Sequence, residues 1–277
     1  MKLKYLVAIL LITALFLGCA GEKKEAATPT PEKTAMPEST PESAPKFKLV
    51  EPGVLTVGTD AAYPPFESIN EVTNEFEGFD VDLMKEVAKR IGLEVKFVNV
   101  AWEGIIPGLV AHKYDVIASA MTITEERKKQ IDFSDPYFEA WQVIVVRKDD
   151  DRISKAEDLA GKIVGVQIGT TGQFVAEDLV KEGINFEIKT YDTTPDALLD
   201  LKNGNIDACI IDNGVAEKAL KNNPDTYKIV GGKLSYEEYG IAVAKDNPEL
   251  LKAINQALKE IKEDGTYDKI YQKWFGE

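Results

Sequence analysis

Four places in this 277-residue chain set polar side chains at the ends of short β-branched runs. Asp60 follows Val54–Thr59, Ser119 to Thr122 close the run that starts at Val116, Gly169-Thr170-Thr171-Gly172 follows Ile163–Val166, and Asp212 follows Ala208–Ile211. Carboxylates, hydroxyls and exposed backbone amides are recognition groups: they orient a small charged molecule. The Gly-Thr-Thr-Gly turn leads into a helix beginning near Gln173, so its N–H groups can face an anion with help from the helix dipole. It lacks the spacing and lysine of a phosphate loop, which favours a carboxylate; a plain tight turn is the competing reading. By spacing alone Arg127 reads as a solvated charge in Glu125–Lys129, Asp212 as a helix N-cap, and Trp102 as the start of an apolar helix face.

The elements that must position these groups form an α/β series. After the strand Val54–Thr59, the spacing of Phe79, Leu83, Met84, Val87, Ala88 and Ile91 predicts a helix that Gly92 can end. A strand at Val95–Val100, a helix from Trp102 to Val110 and a strand at Val116–Ser119 follow. Val143–Val146 opens a second series, in which Ser154 and Glu157 read as a capping box, and strands at Ile163–Val166 and Ala208–Ile211 alternate with helices. Gly240–Ala244 reads as a strand, and Pro248–Asp264 and Tyr267–Phe275 as terminal helices. The expected fold has two α/β lobes, each a mostly parallel sheet flanked by helices, with hinge crossings near Trp141 and Tyr236: residues 52–141 plus 236–277 make the first lobe and 142–235 the second. Ligands of open parallel sheets bind outside the carboxyl ends of the strands, which is where the polar groups fall.

Composition narrows the class. The formal net charge of −14 argues against a nucleic-acid partner. Lys2 and Lys4 precede the apolar run Tyr5–Leu17, followed by Gly18 and Cys19, the layout of an export signal over residues 1–18. Cys19 is then the expected lipidation site, anchoring the protein to the outer face of the cell membrane through an N-terminal lipid. Residues 19–51, rich in Pro, Thr, Ser and Glu, read as a flexible tether. Cys209, the only other cysteine, sits in an apolar run and reads as a small buried hydrophobe. No metal-ligand cluster or cofactor motif is present.

Five ordered motifs carry a resemblance. Gly58-Thr59-Asp60-Ala61-Ala62-Tyr63-Pro64-Pro65-Phe66-Glu67, Gly78-Phe79-Asp80-Val81-Asp82-Leu83, Thr122-Ile123-Thr124-Glu125-Glu126-Arg127, Phe133-Ser134-Asp135-Pro136-Tyr137 and the ending Asp264-Gly265-Thr266-Tyr267 with Lys273-Trp274-Phe275-Gly276 resemble the polar and basic amino-acid-binding proteins of ABC importers, the extracellular solute-binding proteins of family 3. The resemblance implies a type II periplasmic-binding-protein fold, a free amino acid as ligand, ABC permease subunits as partners and a monomeric state. It implies that Arg127 grips the α-carboxylate with Thr122, Thr171 and nearby amides, Thr170 among them. Asp212 then takes the α-ammonium with Thr122 and the Ala120 carbonyl, while Tyr63 and Trp102 sandwich the side chain beside Ser119. Asp60 would supply the distal charge.

Gly165-Val166-Gln167, Thr171-Gly172-Gln173 and Asp212-Asn213 look like the binders of basic amino acids, whereas glutamine binders often carry lysine where Gln167 stands. Arginine or lysine is therefore the favoured ligand and glutamine the alternative. A cyclohexadienyl dehydratase-like enzyme would need a placed acid or base, and the single histidine, His112, reads as a solvated helix end. A ligand-sensing receptor domain would be expected to continue beyond Glu277 into a transmembrane helix.

Overall fold

The computed structural model describes residues 47–276. The export signal, Cys19 and most of the tether lie outside the described residues. Two five-stranded sheets define two lobes. In the first, the order is Glu94–Asn99, Val54–Thr59, Val116–Ile117, Ala242–Val243 and Asp132–Phe133; in the second, Glu187–Tyr191, Ile163–Gln167, Ala208–Asp212, Gln142–Arg147 and Tyr227–Val230.

The two-lobed α/β expectation holds, but the sheets are mixed. Three strands of each sheet are parallel and the other two join through antiparallel pairings. The reason lies in the crossings. A strand that enters a lobe from the neighbouring one starts at the cleft, as Gln142–Arg147 does opposite Asp212, and so runs against strands that end there. Each crossing is itself ordered, because Phe138–Ala140 and Glu237–Tyr239 pair as an antiparallel ribbon.

Local chemistry explains the elements beside the cleft. Helix Phe79–Arg90 buries Phe79, Leu83, Met84, Val87 and Ala88, carries Asp80 and Asp82 in its first turn and Lys89 and Arg90 in its last, and gives way at Gly92. Each of its larger apolar side chains contributes roughly 1.5–3 kcal/mol by burial. Helix Thr171–Lys181 starts two residues before the expected Gln173, because the Thr170 hydroxyl accepts from Gln173 N–H at 3.3 Å and caps it. A Cβ on Gly172 would come within 2.9 Å of the Ile210 carbonyl, so only glycine lets this helix approach the strand so closely. Around Ser154 the capping group is Asp158, not Glu157: its carboxylate accepts from Ser154 N–H at 2.9 Å and Oγ at 2.8 Å, ahead of the short 3₁₀ turn Ala156–Leu159. Where the lobes meet, Phe66, Phe79, Phe138, Tyr239 and Phe275 form one aromatic cluster.

Candidate ligand-binding site

Between the lobes lies a narrow cavity, lined by Asp60, Tyr63, Trp102, Ser119, Ala120 and Thr122 on one side of the chain order and by Gln167, Thr170, Thr171 and Asp212 on the other, with Arg127 and Glu67. Every residue singled out from the sequence as a ligand contact is thus brought to one place. Glu67 was not among them.

Arg127 belongs to the short helix Glu125–Lys128, capped by Thr124. Its Nη1 donates to the Thr122 carbonyl at 2.7 Å and Nη2 to the Gly169 carbonyl at 3.4 Å, while Cζ lies 5.2 Å from the centre of the Trp102 ring. The side chain is buried rather than solvated, and among the described residues it forms no ion pair. Burial lowers its pKa to about 10 against the opposing pull of Glu237 and Asp212, so it stays charged at neutral pH. The backbone N–H groups of Thr122 and Thr171 meet no protein acceptor among the described residues, the second because it heads a helix. Guanidinium and free amides together make a site for a carboxylate.

Asp212 ends its strand and precedes helix Asn213–Asn222, yet its side chain makes no capping bond. It turns into the cleft, where Tyr239 donates to Oδ1 at 2.6 Å and Tyr63 donates to Oδ2. Burial, then the neighbouring Glu237, raises its pKa to about 6. Tyr63 therefore spends its hydroxyl on Asp212 and offers its ring to the cavity.

Among the described residues the one side-chain donor to the Asp60 carboxylate is Gln167, whose Nε2 reaches Oδ2 at 2.9 Å. Gln167 is fixed in turn by the Asp192 carbonyl and the Thr194 hydroxyl, both at 3.0 Å. Burial raises the Asp60 pKa, and the Gln167 bond opposes it. Ser119 accepts from Asp60 N–H and donates to Glu67 Oε1, each at 3.0 Å. Ala120 holds a left-handed backbone, φ 45°, at a cost of about 1–3 kcal/mol. That conformation sends its N–H to Asp80 Oδ2 at 2.8 Å and leaves its carbonyl without a donor among the described residues. Thr170 contributes as a helix cap that also donates to the Gln167 carbonyl at 2.7 Å.

Glu237 is the carboxylate that the sequence did not disclose. Its Oε2 accepts from Thr122 Oγ1 at 2.6 Å and Thr171 Oγ1 at 2.8 Å, and its Oε1 from Ser235 Oγ at 2.8 Å. The strand alternation of Glu237 and Tyr239 inward, against exposed Tyr236, was the available signal. His112, by contrast, is exposed at a helix end and does not line the cavity. Among the described residues no three potential metal ligands gather, and no helix is long and apolar enough to cross a membrane.

Two α/β lobes closing on a cavity of charged recognition groups define a solute-binding protein. Residues 55–277 match the model of the bacterial extracellular solute-binding proteins, family 3, and the chain belongs to that family. It is 42% identical over 227 residues to the ABC transporter arginine-binding protein 1 of Escherichia coli (strain K12), covering 80% of this chain and 90% of that one. Among solved structures it is similar to an ancestral arginine-binding protein bound to arginine, with 52% identity, a TM-score of 0.77, and 81% and 99% of the two chains covered. An ancestral arginine-binding protein bound to glutamine gives 52% identity, a TM-score of 0.76 and the same coverage. The resemblance drawn from the five motifs therefore holds across the described domain, and the family is one of solute-binding proteins.

Proposed function

We propose that this protein captures a cationic amino acid, arginine or lysine, outside the cytoplasm and delivers it to the permease subunits of an ABC importer. The observation that carries this reading is a separation of charge. Arg127 forms no ion pair among the described residues, and Asp60, buried in the same cavity, is met by the neutral amide of Gln167 alone. A cavity holding an unneutralised cation, the anionic Asp212–Glu237 corner and a further anion matches an α-carboxylate, an α-ammonium and a positive side chain. In this reading Arg127 with the Thr122 and Thr171 amides takes the carboxylate, Asp212 and the Ala120 carbonyl take the ammonium, and Tyr63 and Trp102 flank the side chain. The arginine-binding relatives support it. Glutamine is the second reading, favoured by the glutamine-bound ancestral structure.

Residues 52–141 with 236–277 and residues 142–235 would move as two bodies about the paired ribbon, closing on the ligand, and the protein would act as a monomer. Cys19 would carry a lipid holding it to the membrane's outer face, with the segment to residue 51 as tether.

A thermal-shift screen over the twenty amino acids tests the assignment, since a ligand at a hundredfold excess over its Kd stabilises the native state by about 2.7 kcal/mol. Arginine or lysine should give the largest shift, and Asp60→Asn should reduce that shift selectively. A shift with glutamine alone would overturn the cationic reading.

A further inference from the structure

Behind Asp60 lies a second acidic pair that the binding scheme above does not use. Glu67 is fully buried and lines the cavity; Asp80, at the start of helix Phe79–Arg90, is 1% exposed. Glu67 Oε1 accepts from Ser119, and Asp80 Oδ2 accepts from Ala120 N–H at 2.8 Å and from the Tyr137 hydroxyl at 2.7 Å. Glu67 Oε2 and Asp80 Oδ1 are buried with no hydrogen-bond partner among the described residues. The two carboxyls are anchored by successive residues, Ser119 and Ala120, and each keeps one buried oxygen without a donor, an arrangement that a proton held between them would relieve.

We propose that Glu67 is a charge-selecting residue of the ligand cavity: with Asp80 it forms a proton-sharing carboxyl pair that releases its proton to solvent when a cationic side chain occupies the space beside Asp60, and keeps it when the side chain is neutral. This rests on the amino-acid-binding reading and extends it to how the cavity tells charge. The groups facing the pair are Asp60 at the strand end, Tyr63 on the short strand Ala62–Tyr63, Tyr137 just before strand Phe138–Ala140 and Tyr267 on helix Thr266–Phe275, all anionic or neutral. No lysine, arginine or histidine is ion-paired to either carboxyl among the described residues. The pair thus has no counter-charge from the described residues, and a ligand cation is the first positive charge to reach it. Burial works in the same direction, raising Glu67 well above the ordinary carboxylate range and Asp80 to about 6. Proton balance is simple: one O–H bond of the pair breaks, the proton passes to buffer, and the ligand cation replaces its charge. Because the deprotonated form binds the cation better, arginine affinity rises with pH across the range where the pair loses its proton, by up to about tenfold per pH unit for one proton released.

The test is calorimetric titration of the wild-type protein with arginine, lysine and glutamine at neutral pH in buffers of different ionisation enthalpy. The slope of heat against buffer enthalpy counts protons. Arginine or lysine should release a proton, glutamine should not, and Glu67→Gln, which can still hydrogen-bond Asp80, should abolish the release and flatten the pH dependence. Cationic ligands that bind without proton release, or with equal release in Glu67→Gln, overturn the inference while leaving the cationic-ligand reading intact. If no cationic amino acid binds while glutamine does, that reading falls and this inference with it.

Discussion

Gln167, at the end of a second-lobe strand, donates its side-chain amide to Asp60, at the end of a first-lobe strand, over 2.9 Å. A neutral donor thereby links the lobes at this point without supplying the carboxylate a counter-charge. Gln167→Lys would instead place an ammonium against Asp60. A charge pair at about 4 Å and an effective dielectric near 20 is worth roughly 4 kcal/mol, so the expected outcome is loss of arginine affinity by about two orders of magnitude or more. Glutamine affinity should change far less, which isothermal titration of both ligands will show.

Arg127→Met removes the only buried guanidinium of the cavity. Stripping one partner from a buried ion pair typically costs about 3–5 kcal/mol, and the pair here is the one that a ligand carboxylate would make. No amino acid should then shift the melting temperature. Since burial already disfavours the charge in the free protein, the unliganded domain should melt close to wild type.

Asp212 gives a pH-dependent prediction. Its folded pKa, about 6, lies above the ordinary aspartate value of 3.8, so the folded state binds that proton more tightly than the unfolded chain does. The stability contributed is present below the unfolded value and is lost as pH rises through about 6. Asp212→Asn should therefore raise the melting temperature of the free protein at pH 8 and change it little at pH 4. In the same variant amino-acid affinity should fall strongly at pH 8, where the wild type offers the ammonium an ionised carboxylate, and less at pH 4, where that carboxyl already carries a proton.

Glu237 takes one hydroxyl from each lobe, Thr122 from the first and Thr171 from the second. Glu237→Ala should loosen the closed form. Small-angle scattering should show a larger radius of gyration than wild type at saturating ligand, with affinity reduced by roughly ten- to a hundredfold on the loss of about two charged hydrogen bonds. Unchanged scattering and affinity would remove Glu237 from the closing machinery.

The parallel strands of both sheets, the main helix faces and the position of the polar groups at strand ends follow from local pattern, and they were legible without tertiary information. Val54–Thr59 must be a strand and Phe79–Arg90 a helix because the apolar period of each is set within a few residues. The rule that parallel strands deliver their carboxyl ends to one crevice then placed Asp60, Ser119, Thr170 and Asp212 together. What the chain pattern left open was orientation. Asp212 caps nothing and faces two tyrosines, Arg127 is buried against Trp102 and not solvated, and both outcomes depend on groups at least 25 residues away in sequence or across the cleft. The mixed sheets, Glu237 on the crossing ribbon and the Glu67–Asp80 pair were likewise decided only in three dimensions. Each arises where segments distant in sequence meet in a water-poor interior, and there burial and partner geometry, not local propensity, fix which way a side chain turns and whether it keeps its proton.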